Sequence, residues 1–300
     1  MIANLLRAVS DDFMSPRTLA LWQLSGAVLL SSLTALFAKL IPLPVVQIIF
    51  WRSVVAALAI WLFLRTTRGV IQLASWREYL FFLGSGSLLA VHWLTYFHSI
   101  QLSTVAIGII ALYTHPVITI VLEPFFDKAR HRGSDICVGM VVFGGVFLMA
   151  PAFELSNSTT RGICWGVLSA LVYSIRNIII RKHVRKYPAP TVMLYQVIAS
   201  VIVLLPFMIS RFEVYPGKIV GQLILLGVVF TAIHHTLFVA VLKHFSVKTA
   251  SVIASVQPAL AAVFAWLILD EIPGLRVVIG GLIVISAAAF ETSRNMSRSG

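Results

Sequence analysis

The chain has 300 residues, 59% of them hydrophobic and 11% charged, with a mean hydropathy of +0.95. Soluble domains carry about 25% charged residues, so this composition excludes a water-soluble globular fold and points to a multi-pass membrane protein. The net charge of +12 does not mark a nucleic-acid binder, because the basic residues fall in short clusters between apolar runs, as membrane topology requires.

A bilayer is crossed by about 20 apolar residues, and ten segments meet that need: 19–40, 44–64, 78–99, 103–124, 135–151, 162–181, 190–210, 219–241, 247–269 and 274–291. The leader "MIANLLRAVSDDFMSPRT" has no apolar core of signal-peptide length, so the first segment reads as an uncleaved insertion signal. The second segment carries Arg52. The third holds "VHWLTYFHSI", with His92, Trp93, Tyr96 and His98. In the fourth, Tyr113 and His115 precede Pro116. The sixth carries Arg176 and Asn177, and the eighth His234 and His235. In the ninth, Gln257 precedes Pro258. The connectors are short and charged, and no stretch reads as a separate soluble domain.

With the N-terminus in the cytoplasm, sixteen of the 23 Lys and Arg residues fall on the inner side. They include Arg65, Lys128, Arg130, Arg132, Lys243, Lys248 and the run "RKHVRK" (181–186). Five fall outside: Lys39, Arg161, Arg211, Lys218 and Arg276. The positive-inside rule then sets both termini inside. Cys137 lies near the inner face and Cys164 near the outer, so the two are not expected to pair.

An offset of 142 residues recurs along the chain. It relates His92 to His234, Pro116 to Pro258 and Gly139 to Gly281. It aligns segments three to five with segments eight to ten. Each half then holds five helices, and an odd number makes the second half enter from the opposite side. The reading is an all-α integral membrane protein of ten transmembrane helices in two inverted five-helix repeats, N-in and C-in. Such repeats place a substrate site near the midplane between the halves. The parts are a tail at 1–17, a first repeat at 18–151, a second at 152–292 and a tail at 293–300.

Several stretches then resemble the EamA branch of the drug/metabolite transporter superfamily. They are the proline-centred fourth and ninth segments, "ILDE" (Ile268 to Glu271) after the ninth, "FWRSVVAALAI" (50–60) and "CWGVLSALVYSIRNIIIRK" (164–182). The first half departs from the pattern, since "LEPFFDKAR" does not align its acids with Asp270 or Glu271. The resemblance implies a ten-helix carrier with a central cavity lined by helices one, three, four, six, eight and nine. It implies traffic in metabolites, often amino acids or related compounds, and export in many members. It implies no prosthetic group, and an address in a bacterial inner membrane, in contact with lipid.

The site expectation follows from the cost of polar groups in hydrocarbon, which makes them face the bundle interior or water. His92, Trp93, Tyr96, Tyr113, His115, Arg176, Asn177, His234, His235 and Gln257 are the candidate substrate-binding residues. Arg176 can take a carboxylate through two parallel hydrogen bonds, and Trp22, Tyr173 and Phe238 add aromatic wall. Arg52 reads instead as a structural residue that bonds carbonyls across helices, and His98 as interfacial. No acid lies at the depth of either arginine, so histidine is the available proton-coupling group near neutral pH. Exchange or facilitated diffusion needs no such group. The alternatives are a membrane enzyme with histidine-bound metal and a non-saturable channel or scaffold. The five intramembrane histidines lack metal-site spacing, and no catalytic residue, metal ligand or ATP-binding motif is read. The sequence leaves the substrate's identity, the direction of transport and the oligomeric state open.

Overall fold

The computed structural model describes residues 16–127, 133–151, 154–180, 186–209, 211–241 and 256–296. Lys128, Arg130, Arg132, residues 181–185, Lys243, Lys248, Ala250 and Ala254 lie outside the described residues, as does the side chain of Phe238. Every described stretch of the ten apolar segments is mainly helical. The first segment comprises α1 (Pro16–Thr34) and a short α2 (Phe37–Leu40), the second α3 (Val45–Thr66) and the third α4 (Trp76–Leu102). The fourth comprises α5 (Val105–Leu112) and α6 (His115–Asp127), the fifth is α7 (Gly133–Met149), the sixth α8 (Ser158–Ile180) and the seventh α9 (Ala189–Met208). The eighth comprises α10 (Gly217–Gly227), a π-helical turn (Val228–Ile233) and α11 (His234–Val241). The ninth contains α12 (Gln257–Leu269) and the tenth is α13 (Leu275–Met296).

Among the described residues, six helical runs are long and apolar enough to cross a membrane: Trp22–Leu40, Val45–Thr66, Trp76–Leu102, Ser158–Ile180, Ala189–Met208 and Gly217–Leu237. Four more are apolar but shorter: Val105–Thr119, Cys137–Met149, Gln257–Leu269 and Leu275–Ala287. Their outward faces are apolar too, with Leu58, Leu62, Phe63, Phe143 and Phe147 exposed. Such faces suit lipid, because the helical backbone bonds are already made internally.

Among the described residues, three of the expected segments are interrupted, each for a local reason. In the first, Ser32 Oγ and Thr34 Oγ1 donate back to the carbonyls of Val28 (2.8 Å) and Leu30 (2.9 Å) just before the break at Ala35 and Leu36. Such back-bonding bends helices. In the fourth, the helix breaks at Tyr113 and Thr114, because Pro116 has no N–H for the carbonyl four residues back and its ring crowds that turn. In the eighth, Thr231 Oγ1 donates to the Leu226 carbonyl, 2.7 Å away and five residues earlier, within the widened π turn.

The helices pack in a defined set of pairs. α4 lies along α8, α9 against α3 and α4, and α13 along α7; α8 also meets α5 and α6. α1 meets α11 and α12, α3 meets α10 and the π turn, and α5 meets α12. Glycine allows close crossings. A Cβ on Gly280 of α13 would stand 2.5 Å from the Gly145 carbonyl oxygen of α7. One on Gly86 of α4 would stand 2.7 Å from the Gln196 carbonyl oxygen of α9.

At one end of the bundle the acidic pair after α12 has a specific task. Asp270 adopts a left-handed conformation (φ 55°), tolerable for aspartate, and the chain turns there. Glu271 Oε2 then accepts the Val105 N–H (2.8 Å) at the start of α5, while its Oε1 lies 3.8 Å from Lys39 Nζ. Lys39 in turn donates to the Ser103 carbonyl (2.8 Å). Glu271→Ala is expected to lower thermal stability by about 1 kcal/mol, the worth of a helix N-terminal acceptor. Glu271→Gln, which keeps an acceptor, should retain most of it. Equal losses in both would instead make the Lys39 charge pair the stabilising element.

Candidate functional site

The candidate residues sit on helical turns that face one another inside the bundle. On α4, His92, Trp93 and Tyr96 occupy successive inward positions and are buried. His92 is fixed by Ser169 of α8. The serine hydroxyl has one proton, and its Oγ lies 2.9 Å from the His92 carbonyl and 2.8 Å from His92 Nδ1. One arrangement satisfies both contacts: the hydroxyl donates to the carbonyl, and Nδ1–H donates to the hydroxyl oxygen. The Ser169 carbonyl is a further acceptor at 3.3 Å. This assignment leaves Nε2 as the ring's acceptor. The imidazole lies 4.6 Å from the Tyr173 ring and stacks at 6.1 Å on Tyr96.

The proline-broken helices meet at Tyr113. Its hydroxyl donates to Gln257 Oε1 (2.9 Å) at the start of α12. Gln257 Nε2 reaches Ser31 Oγ of α1 at 2.5 Å, and the Gln257 carbonyl lies 3.3 Å from Ser32 Oγ, whose proton goes mainly to the nearer Val28 carbonyl. The ring of His115 stands 5.8 Å from Tyr113 and 5.0 Å from Tyr173. Its carbonyl accepts from Thr119 Oγ1 (2.7 Å) and Ser174 Oγ (2.9 Å). The two polar residues that precede the prolines therefore both adjoin Tyr113.

From the other half, His235 packs on Trp93 with ring centroids 5.5 Å apart, and His234 lies 4.4 Å from His235. The two histidine stretches thus join through Trp93. His98 stands away from this group, edge-on to the half-exposed Trp165 at 5.2 Å. Trp22 is 67% exposed and outside the buried cluster.

The two arginines behave differently from each other. Arg176 Nη1 donates to Asn177 Oδ1 (2.9 Å) and Nη2 to Gln196 Oε1. Gln196 Nε2 continues to Ser85 Oγ of α4 at 3.4 Å. Both terminal nitrogens that a two-pronged carboxylate grip would use are therefore held within the protein, and only Nε is unpartnered. Arg52 is 0% exposed. Its Nε and Nη2 donate to Thr231 Oγ1 at 3.1 and 2.9 Å, and Nη1 has no partner. Its guanidinium lies over Trp93 at 4.3 Å and Phe97 at 5.2 Å. The carbonyl bonds expected of Arg52 are thus replaced by one hydroxyl and two aromatic faces, which attract a cation through their quadrupole. Neither arginine is paired with a carboxylate among the described residues.

The sequence did not single out Ser169, Thr231, Ser31 or Gln196. A hydroxyl or amide inside an apolar run was the signal available for each.

Three comparisons bear on this arrangement. Residues 18–150 and 160–292 each match the profile of the EamA-like transporter family. An uncharacterized transporter, YxxF, of Bacillus subtilis (strain 168) is 25% identical over 273 residues, which are 87% of this chain and 86% of that one. The pseudopaline exporter CntI of Pseudomonas aeruginosa (strain UCBPP-PA14) is 24% identical over 253 residues, 82% of this chain and 85% of that one. A solved crystal structure superposes with a TM-score of 0.67 at 17% identity, covering 94% of this chain and 98% of the other, which shows a shared fold.

Proposed function

The chain belongs to the EamA-like transporter family and is an integral, multi-pass protein of the inner membrane, and from that premise we propose that it is a secondary transporter of small carboxylate-bearing metabolites, amino acids and related compounds, which works by alternating access and favours export. The observation that carries the substrate class is the charge at membrane depth. Arg52 and Arg176 both lie inside helices, and no described carboxylate pairs with either. A charge in that position costs several kcal/mol unless something compensates it. A substrate carboxylate is a suitable partner, and His92 Nε2 with the surrounding aromatic faces suits the ammonium of a zwitterion.

In this reading the ten segments are ten transmembrane helices in two inverted repeats, with both termini inside. The packing supports it. Exchanging each segment with the one five places along turns the third–sixth contact into the eighth–first, the second–eighth into the seventh–third, and the fourth–sixth into the ninth–first. All of these contacts are present, and the fifth–tenth, fourth–ninth and second–seventh pairs map onto themselves. The Arg52–Thr231 bond between the second and eighth segments has a counterpart in Gln196–Ser85 between the seventh and third. His92, Trp93, Tyr96, Tyr113, His115, Arg176, Asn177, His234, His235 and Gln257 surround the substrate where the halves meet. His92, His115 or His234 carries the proton if transport is proton-coupled. The exporter among the relatives supports the outward direction.

The test is uptake of a labelled amino-acid pool into proteoliposomes, with and without an imposed pH gradient. Wild type is expected to show saturable uptake. Arg176→Ala should lower it about tenfold, less than removal of Arg52, because Asn177 and Gln196 hold its terminal nitrogens and leave only Nε for a ligand. Uptake linear in concentration would replace the carrier with a channel, and no uptake of any carboxylate would overturn the substrate class.

A further inference from the structure

We propose that Arg52, Tyr96 and His234 form a built anion subsite, which holds the substrate's carboxylate. This deepens the transport reading and rests on it for the identity of the anion as a carboxylate.

Three buried polar atoms make no hydrogen bond of normal geometry: Arg52 Nη1, the Tyr96 hydroxyl and His234 Nδ1, although the His234 ring also interacts with the Phe230 carbonyl, four residues back. Their residues are 0%, 6% and 7% exposed. Unpartnered polar groups this deeply buried are rare, because each forfeits its bonds to water. Tyr96 and His234 each stand within one helical turn of residues that contact the guanidinium. The guanidinium spans Trp93 and Phe97, successive turns of α4, and Tyr96 lies on the same stretch, three residues beyond Trp93. On the opposite side Thr231 holds Nε and Nη2, and His234 follows it by three residues. Electrostatic interactions link Arg52 with both Tyr96 and His234.

The chemistry of the set is one-sided. The guanidinium supplies N–H donors alone. The tyrosine hydroxyl can donate, and His234 donates in the tautomer that carries its proton on Nδ1. Among the described residues no acid is paired with this cluster. What completes such a set is a small anion with several lone pairs. A carboxylate offers two oxygens and about four lone-pair sites, enough for Nη1–H, the tyrosine O–H and the imidazole N–H together. Thr231 orients the guanidinium by occupying its other edge, so that Nη1 is the free terminal nitrogen. Arg176 lacks this property because both of its terminal nitrogens are engaged by Asn177 and Gln196. The subsite is closed in this conformation, and ligand reaches it when the bundle opens.

The experiment is thermal unfolding of purified wild type, Tyr96→Phe, His234→Asn and His234→Leu in detergent. Sodium acetate, acetamide and sodium chloride serve as probes, at matched ionic strength for the salts. Without acetate, Tyr96→Phe is expected to melt higher than wild type, because the variant no longer buries an unsatisfied hydroxyl. Acetate should stabilise wild type, with about tenfold weaker apparent affinity in Tyr96→Phe. His234→Asn, which keeps a donor near the Nδ1 position, should retain most of the response, and His234→Leu should lose it. Acetamide should stabilise none of them.

A lower melting temperature for Tyr96→Phe, or equal effects of acetate and acetamide, would overturn the subsite. Chloride that replaces acetate at equal concentration would overturn its assignment to a carboxylate. Acetate stabilisation in a protein that transports no carboxylate would leave the subsite standing and remove the transport reading. Carboxylate uptake by wild type with no acetate response would do the reverse.

Discussion

Arg52→Leu is expected to reduce carboxylate uptake by on the order of 100-fold and still yield a folded protein, whereas Thr231→Val is expected to damage the fold itself. The asymmetry follows from what each change leaves behind. Leucine removes a fully buried charge that has no carboxylate partner and leaves apolar contacts with Trp93 and Phe97. Replacing buried ionic groups with packed apolar ones is often neutral or stabilising. Valine at 231 keeps the charge but deletes the oxygen that accepts from Nε and Nη2 at 3.1 and 2.9 Å. Stranding a buried charge in this way costs about 3 kcal/mol. The double variant should recover most of that loss, since no guanidinium then needs the acceptor. Thermal melting of the two single variants and the double closes the cycle. If Thr231→Val is as stable as wild type, the hydroxyl does not anchor Arg52.

Gly280→Val is expected to prevent α13 from seating against α7. The added Cβ would lie 2.5 Å from the Gly145 carbonyl oxygen and 2.6 Å from Met149 Cγ. The first of these is backbone and cannot swing aside, so the helices must separate. The reciprocal Cβ on Gly145 would meet the Gly280 carbonyl oxygen at 2.9 Å. Close approach through small residues is a main source of helix association in lipid, where apolar side chains gain little by leaving the tails. A loss of about 3 kcal/mol is expected, at the upper end for overpacking, seen as a lower melting temperature and less folded protein. Gly144→Val is the control, because a Cβ there meets nothing within 4 Å. Equal losses at 144 and 280 would mean that the effect is loss of glycine and not of the crossing.

Helix positions were readable in the sequence where the hydrophobic term dominates. The expected 44–64 and 190–210 are observed at Val45–Thr66 and Ala189–Met208, since apolar length alone sets such elements. Breaks were readable only where covalent chemistry announces them. Pro116 explains the interruption at Tyr113, whereas "GVVFTAI" (227–233) gives no hint of a π turn. That turn brings Thr231 to Arg52 across 179 residues, so the environment of Arg52 depends on a local irregularity with no compositional mark. A lone arginine in an apolar run states the cost of its burial and not its partner. For that reason Arg52 was expected among carbonyls, outside the cavity set, and is found between Trp93 and Thr231. The histidine stretches were easier, because polar groups in hydrocarbon stand out one by one. The link between them, through Trp93 and His235, is a packing fact that no spacing encodes.

The proposed carrier binds a carboxylate beside its buried arginines and moves it in a saturable cycle. Solute counterflow in wild-type proteoliposomes tests it most directly. Vesicles loaded with an unlabelled amino-acid pool should transiently accumulate the same labelled compounds, with saturation, and should not accumulate their carboxamides. Counterflow of carboxamides equal to that of the acids, or flux without transient accumulation, would contradict it.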